Sequence, residues 1–313
     1  MAAQSITTPH VRKSELTESP FREWRSTQLC NNPKLSLIGY SRAADKTFFL
    51  VPELNLGLDA GECRGRRPEY VALTHGHDDH SKDLNYILSN SRPTTCLCPA
   101  PLVPHIENYI KSSMSINCCM PAVELQTPPF VLKGVNGGDV LQIGKNNSIK
   151  VDVIDCCHSV PCLGFCFSER RSKLKEKCRC LAGKEIMALR KKGETVSEEV
   201  DFPLFCYLGD TSIDVFEKNP QILTFPNIVV ECTFLMDEDY VDERCVRDGH
   251  IAWKHLEPVV LANPNTRFIL IHFSCRYTAK VIYEFFEKLT IRQENPLVLS
   301  NVVVHVTDMS EGR

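Results

Sequence analysis

Tyr70-Val71-Ala72-Leu73-Thr74-His75-Gly76-His77-Asp78-Asp79-His80 passes from a short apolar run into a polar string holding three histidines. An apolar run, a polar loop and a helix-like stretch over Ser81 to Leu88 read as strand, loop and helix. Three imidazoles and a carboxylate in an HxHxDH spacing are hard to explain as packing, because neighbouring rings repel on protonation unless a cation keeps them neutral. A bound metal does that, and a solvated histidine-rich loop is the weaker reading. In a tight loop His75 and His77 can point to one side and share an ion, while Asp79 and His80 turn toward a second. Imidazole and carboxylate ligands with open positions suit zinc, and the same set admits manganese or iron. Asp78 is an extra carboxylate that reads as facing solvent.

Further ligands are expected at strand ends. His158 follows a strand from Val151 to Asp155, Asp210 ends the strand Leu204 to Leu208 within Gly209-Asp210-Thr211, and His272 ends the strand Phe268 to Ile271. Each alone has a bland reading as a loop, turn or core residue; together they look like a ligand set. Around them, short runs at Leu35 to Ile38, Phe48 to Val51 and Leu54 to Leu58 predict an opening group of antiparallel strands. Strands are also expected near Ile149 to Ile154, Gly164 to Phe167 and Asn227 to Val230, and helices over Pro101 to Lys111 and Ala279 to Leu289. Gly137-Gly138 and Pro128-Pro129 read as turns. Strands and helices interleave without a repeat, which favours a layered α/β architecture. Residues 1–33 read as a loosely ordered leader and 34–313 as one catalytic domain.

Composition narrows the class. The 313 residues are 43% hydrophobic and 24% charged, which suits a large layered core and excludes intrinsic disorder. No apolar run approaches the roughly 18 residues of a membrane span. Sixteen cysteines occur without a CxxC pair, which speaks against a zinc ribbon and for reduced thiols in the cytoplasm or nucleus. Met1 to Thr27 lacks the apolar run of a secretory signal, while its acid-poor start leaves organelle import open. The net charge of −3 conceals an asymmetry: ten Lys or Arg against two Glu between Arg170 and Lys192 make that segment +8, leaving −11 elsewhere.

In these motifs the chain resembles the metallo-β-lactamase superfamily and, within it, the tRNA 3′-processing endoribonucleases called ribonuclease Z or tRNase Z, in their short plant-type form. The likeness spans roughly Lys34 to Val306. It rests on Thr74 to His80, His158 before Gly164, Gly209-Asp210-Thr211, Val230-Glu231-Cys232-Thr233-Phe234, Gly249-His250 and His272-Phe273-Ser274-Cys275-Arg276-Tyr277. It implies an αββα four-layer sandwich with an inserted basic arm. It also implies two zinc ions per subunit, with manganese as an alternative: His75, His77 and His158 on one, Asp79, His80 and His272 on the other, and Asp210 between them. Water activated there would attack phosphorus, with Asp79 as its orienting base. His250, supported by Glu231, would protonate the leaving oxygen. Thr211, Ser274 and Arg276 would hold phosphate oxygens, and Tyr277 would pack.

The resemblance places an RNA-gripping arm at 169–194. Its contacts would come from Arg170, Arg171, Lys173, Lys175, Lys184, Arg190, Lys191 and Lys192, each neutralised phosphate adding a salt-sensitive increment to affinity. Gly183 to Lys192 can form a short helix. The Gly-x-Pro turn of bacterial arms is replaced here by Ala182-Gly183-Lys184-Glu185. Precursor tRNA is the implied partner, a homodimer the implied assembly, and no membrane is involved. The rival readings are a small-substrate phosphodiesterase or thioesterase on the same scaffold, and an RNA-binding relic without metals. The relic is disfavoured because all seven ligand positions are filled.

Overall fold

A computed structural model describes residues 24–29, 35–89, 92–121, 130–236, 241–292 and 299–306. Apolar runs of period two build two sheets. The first joins β1 (Arg25–Gln28), β2 (Ser36–Ala43), β3 (Lys46–Val51), β4 (Leu56–Leu58), β5 (Tyr70–Ala72), β6 (Thr94–Pro99) and β7 (Phe130–Val135) in that order. Pairing is antiparallel from β1 to β4 and parallel from β4 to β7. The second sheet runs β8 (Val140–Ile143), β9 (Ile149–Cys156), β10 (Cys162–Leu174), β11 (Ser197–Leu208), β12 (Asn227–Glu231), β13 (Arg267–Ile271) and β15 (Val302–Val304). Between the last two, β14 (Phe273–Ser274) crosses to pair with β2.

Alternating side chains sort into three cores. Phe49, Leu58, Ala72 and Leu97 meet Val151, Phe165, Tyr207, Val229 and Ile269 between the sheets. Their neighbours Phe48, Val71 and Cys96 face outward, where Ile87 of α2 (Leu84–Leu88) and Ile106 of α3 (Val103–Cys118) cover them. α1 (Asp78–Ser81) precedes that pair, and α4 (Gly183–Lys191) lies in the arm. On the other outer face Ile228, Val230 and Phe268 pack on Phe216 of α5 (Val215–Lys218), Leu256 of α7 (Trp253–Ala262) and Ile282 of α8 (Ala279–Arg292). α6 (Val241–Asp248) precedes α7. Helix, sheet, sheet, helix is the αββα order, and the fold is that of a metallo-β-lactamase.

Several expectations need adjustment. Arg25–Gln28, inside the expected leader, pairs with β2, because Trp24 buries its ring against Phe48 and ties this stretch to the outer core. The other leader residues up to 23, 30–33 and the Pro128-Pro129 turn lie outside the described residues. The helix expected over Ser81 to Leu88 is two short helices, since Ala60 O accepts from Asp83 N and breaks the helical ladder. The arm is a continuation of the β10/β11 hairpin, registered from Ser168↔Pro203 to Leu174↔Ser197, with α4 beyond it. The sequence reading does not anticipate β6, β7, α6 or α7, whose runs are interrupted by Cys, Lys, Asp or Pro, nor the four-residue β8, interrupted by Gln142.

The edges of the two sheets are tied by His305. It follows β15, and its Nε2–H donates to Gly39 O of β2 at 3.1 Å while Nδ1 faces Thr27 Oγ1 of β1 at 3.0 Å. Burial pushes this ring down to about 4, against the opposing pull of the Gly39 carbonyl. A histidine lowered from an unfolded value near 6.5 stabilises the fold fully above that pH and progressively less as pH falls to 4. Urea titrations at pH 7 and pH 5 should therefore show about 2 kcal/mol more loss for wild type than for His305→Gln. Equal losses in the two proteins would remove this account of the strap.

Candidate metal centre

The C-terminal ends of the parallel strands converge. β4 delivers Asp59, β5 delivers Thr74 and the histidine loop, and β11, β12 and β13 deliver Asp210, Glu231 and His272. The C-terminal end of β9, antiparallel to β10, adds His158. Donor atoms of His75, His77, His158 and Asp210 lie within 4.8 Å of one another, as do those of Asp79, His80 and His272. Asp210 faces both groups: its Oδ2 is 3.8 Å from His75 Nε2 and 3.4 Å from His272 Nε2, and its Oδ1 is 3.4 Å from His80 Nε2. The structure thus brings the seven expected residues into one cluster. Asp78 lies exposed beside it.

Ring protons are spent outside the cluster. His80 Nδ1–H donates to Asp59 Oδ2 at 2.8 Å, and His158 Nδ1–H to Gly249 O at 3.1 Å. The Thr74 hydroxyl donates to Asp59 at 2.9 Å, so at 3.0 Å it accepts from His75 Nδ1–H. Likewise Thr233 Oγ1 donates to Glu231 at 2.6 Å and accepts from His272 Nδ1–H at 3.2 Å. These tautomers follow from the hydrogen-bond network. Four Nε2 lone pairs then point inward, together with Nδ1 of His77, which is 3.0 Å from His75 Nε2 and 3.2 Å from His158 Nε2. With no proton between them such pairs repel. Two nitrogens each 2.0–2.1 Å from one tetrahedral ion stand about 3.3 Å apart, so a divalent cation turns this repulsion into ligation. The donor set fits metal use.

Burial and the neighbouring carboxylates pull on these groups in opposite directions. Burial drives His75 well below its ordinary value, with His80 adding to the effect. For His80 burial acts the same way, yet Asp210 and Asp59 outweigh it and raise the ring well above normal. Burial would push Asp79 up, but contacts with His272 and His80 hold its carboxyl well below the usual range. Asp79 Oδ2 also accepts from Ala44 N at 3.0 Å, which fixes its carboxylate at the cluster's rim.

Glu231 organises a second device. Its fully buried carboxylate accepts from Thr211 N at 2.8 Å and Ile251 N at 3.0 Å, and Oε1 is 2.9 Å from His250 Nδ1. Burial alone would favour the neutral His250 ring, but Glu231 outweighs it and brings the value to about 9. His250 stacks on His272 at 5.6 Å between centroids and retains 17% side-chain exposure, so it can reach a substrate. Gly249 has φ +68, and a Cβ there would stand 2.7 Å from His158 Cα. Only glycine allows that approach without strain.

No protein-family model matches the chain. Over 254 residues it is 29% identical to tRNase Z TRZ1 of Arabidopsis thaliana, covering 78% of this chain and 87% of that protein. It is 28% identical over 289 residues to the protein named tRNase Z TRZ2, chloroplastic, of the same plant, covering 88% and 75%. The chain has the metallo-β-lactamase fold and is similar in sequence to the tRNases Z. Human tRNase Z, short form, superposes with a TM-score of 0.52 at 16% identity over 86% of this chain and 95% of that one. The metallo-β-lactamase fold protein YhfI from Bacillus subtilis gives 0.53 at 12% identity, with the same coverages. At these identities the two structures speak for the fold.

The expected phosphate and RNA contacts divide in this chain. Thr211 is fully buried, and its hydroxyl accepts from Cys157 N at 2.9 Å and donates to Ser212 O at 3.2 Å, so it ties its loop to the chain just after β9 and is spent on backbone groups. Ser274 is half-buried, and Arg276 is exposed with its guanidinium carbon 5.7 Å above Phe234. Tyr277 packs, as expected. Arg42 goes unnoticed in the sequence yet is buried: it donates to Phe273 O at 3.1 Å, Ser274 O at 2.9 Å and Tyr277 O, setting the whole loop. In the arm, Arg170 pairs with Asp201 at 3.1 Å and Glu199 at 3.6 Å, and Arg171 with Glu169. Lys173 lies 6.0 Å from the Phe202 ring, and Lys175 is half-buried. Lys184, Arg190, Lys191 and Lys192 are exposed.

Asp59 also escapes the sequence reading, its one hint an acidic residue ending an apolar strand in Leu56-Gly57-Leu58-Asp59, while Thr74 and Thr233 enter it only as motif members without a role. Replacing Asp59 by Asn sets an amide N–H against a donor and frees the His80 tautomer. Partners of this kind are worth 10–100-fold in metal affinity, and competition with a chromogenic chelator should show Asp59→Asn binding zinc about that much more weakly. Unchanged affinity would mean that Asp59 orients nothing that matters to a cation.

Proposed function

We propose that the chain is a zinc-dependent endoribonuclease that removes the 3′ trailer of precursor tRNA, leaving a 3′-hydroxyl on the tRNA. The carrying observation is the Glu231–His250 pair at the edge of the cluster. A ribose 3′ oxygen leaves as a strongly basic alkoxide unless it is protonated, whereas a thiolate of ordinary pKa near 8.5 needs little help. A buried carboxylate holding an imidazolium beside the cluster suits phosphodiester cleavage and counts against a thioesterase. The names of the plant relatives point to the same reaction.

Two zinc ions, one in each donor group, would supply an activated water and neutralise charge on the phosphate. His75, His77 and His158 would hold one, Asp79, His80 and His272 the other, and Asp210 both. Asp79, fixed by Ala44 N, accepts a hydrogen bond from the attacking water and aligns it. His250 gives its proton to the departing 3′ oxygen while Glu231 stabilises the ring before transfer. Arg276, over Phe234, and Ser274 meet the phosphate oxygens. Free thiols at every described cysteine suit a reducing cytoplasm or nucleus.

Mapping the 3′ ends of a 3′-extended precursor tRNA tests this reading. Wild type should give one cut near the discriminator base, Asp79→Ala none, and His250→Ala a rate lower by about 10²–10⁴. Zinc-loaded wild type that leaves the precursor uncut would overturn it.

A homodimer is part of the proposal. β10 starts at the cluster and runs 13 residues away from it, roughly 40 Å, its second half forming the base of the arm. An arm that points away from its own centre suits RNA held at a second subunit. Light scattering should then give twice the chain mass of 35.4 kDa; an active species of single mass would contradict the dimer.

A further inference from the structure

A cavity of about 710 Å³ opens beside the metal cluster, a size that suits a small organic group. It meets the cluster at Gly76 and Asp79 and is bounded by the β2–β3 turn, α1, α2 and α3. Leu84, Leu102 and Ile106 give it apolar walls. Gly76 keeps the passage to the cluster open, since a Cβ there would stand 3.3 Å from both methyl carbons of Leu102. Tyr109 also lines the cavity and is 43% exposed. Its hydroxyl donates to Lys82 O at 2.8 Å, which holds the ring across the gap from α3 to the link between α1 and α2. Charge on the lining is mixed and leans acidic: Asp45, Asp78 and Asp79 stand against Lys82 and His105. A phosphate is disfavoured in such a field. A nucleobase is uncharged, and it offers apolar faces to Tyr109 and Leu102 and polar edges to the carboxylates. Asp78, the carboxylate left over from the histidine motif, lies here.

Reaction geometry points to which base. In an in-line displacement the attacking water and the departing 3′ oxygen lie on opposite sides of phosphorus. The cavity touches Asp79, which aligns the water, and His250 is not among the described residues lining it. The His250 ring sits instead against His158 and His272, with centroids 5.2 and 5.6 Å away. The nucleoside that carries the departing oxygen is held at His250, which leaves the cavity to the nucleoside on the other side of the scissile phosphate. We propose that the cavity holds the base of the first trailer nucleotide, stacked on Tyr109 against the wall of Leu102 and Ile106. Such a base must be unpaired to enter. The assignment rests on the precursor-tRNA reading above for its ligand.

Cleavage kinetics of zinc-loaded protein on precursor tRNAs that carry an abasic sugar at one position test the site. For wild type, an abasic first trailer nucleotide should raise KM about tenfold, the scale of one base stacked on one aromatic ring. Tyr109→Ala should raise KM for the intact precursor by the same factor and no longer distinguish the two substrates, because both changes remove one shared contact. Tyr109→Phe keeps the ring and should still distinguish them, which separates stacking from a folding defect of the alanine variant. Wild type that cuts both substrates with equal KM overturns the cavity assignment and leaves the substrate reading standing. A Tyr109→Ala enzyme that still loses about tenfold on the abasic trailer does the same, as does coupling of Tyr109 to an abasic site in the last tRNA nucleotide instead. Wild type that cuts no precursor tRNA overturns the substrate reading itself, and the base assigned to the cavity falls with it.

Discussion

One carboxylate underlies the centre. Asp59 is fully buried, sits at φ +59, and would be costly there without partners. It accepts four hydrogen bonds: from Thr74 N and Oγ1 at 2.8 and 2.9 Å, from His80 Nδ1 at 2.8 Å and from Tyr207 OH at 2.6 Å. Those bonds offset the desolvation of the charge and lock two imidazoles, one directly and one through Thr74. Because Tyr207 comes from the second sheet, the same carboxylate also sets the two sheets against each other at the site. The strained backbone at Asp59 and the orientation of the histidine loop are therefore a single feature of the fold.

Glu231 repeats the arrangement across the cleft. It orders His250 directly and His272 through Thr233, while two backbone N–H groups satisfy its remaining lone pairs. Each carboxylate thus governs a pair of rings. The difference lies in what the rings face: His75, His80 and His272 turn lone pairs into the cluster, whereas His250 keeps an exposed edge toward a substrate. Burial, hydrogen bonding and exposure set these four chemically similar side chains apart, three facing the cluster and one keeping an open edge.

Charge is partitioned along the sandwich. Acidic and imidazole groups gather at one end, and the arm extends away from it. The sum over the chain is −3, a value that hides both. Within the arm the antiparallel register decides which cations remain available, because β11 brings Asp201 opposite Arg170 and Glu199 diagonally within 3.6 Å of it, while among the described residues the α4 lysines pair with no strand carboxylate. A run of +8 in the sequence is a weaker field in space.

The string His75 to His80 was legible because its ligands are local: a strand end forces a short loop, and adjacent residues must share a site whatever the rest of the chain does. Continuous apolar runs likewise mark Leu204 to Leu208 in β11 and Phe268 to Ile271 in β13, and with them the strand ends that carry Asp210 and His272. Tertiary structure alone decided that His158, Asp210 and His272 meet the loop, that Asp59 and Arg42 are buried organisers, and that Thr211 is spent on the backbone of Cys157 and Ser212. Local patterning follows from backbone geometry over a few residues. Contacts such as Arg42 to Phe273 O, 231 positions apart, depend on register and on how two sheets stack, which no short window of sequence contains.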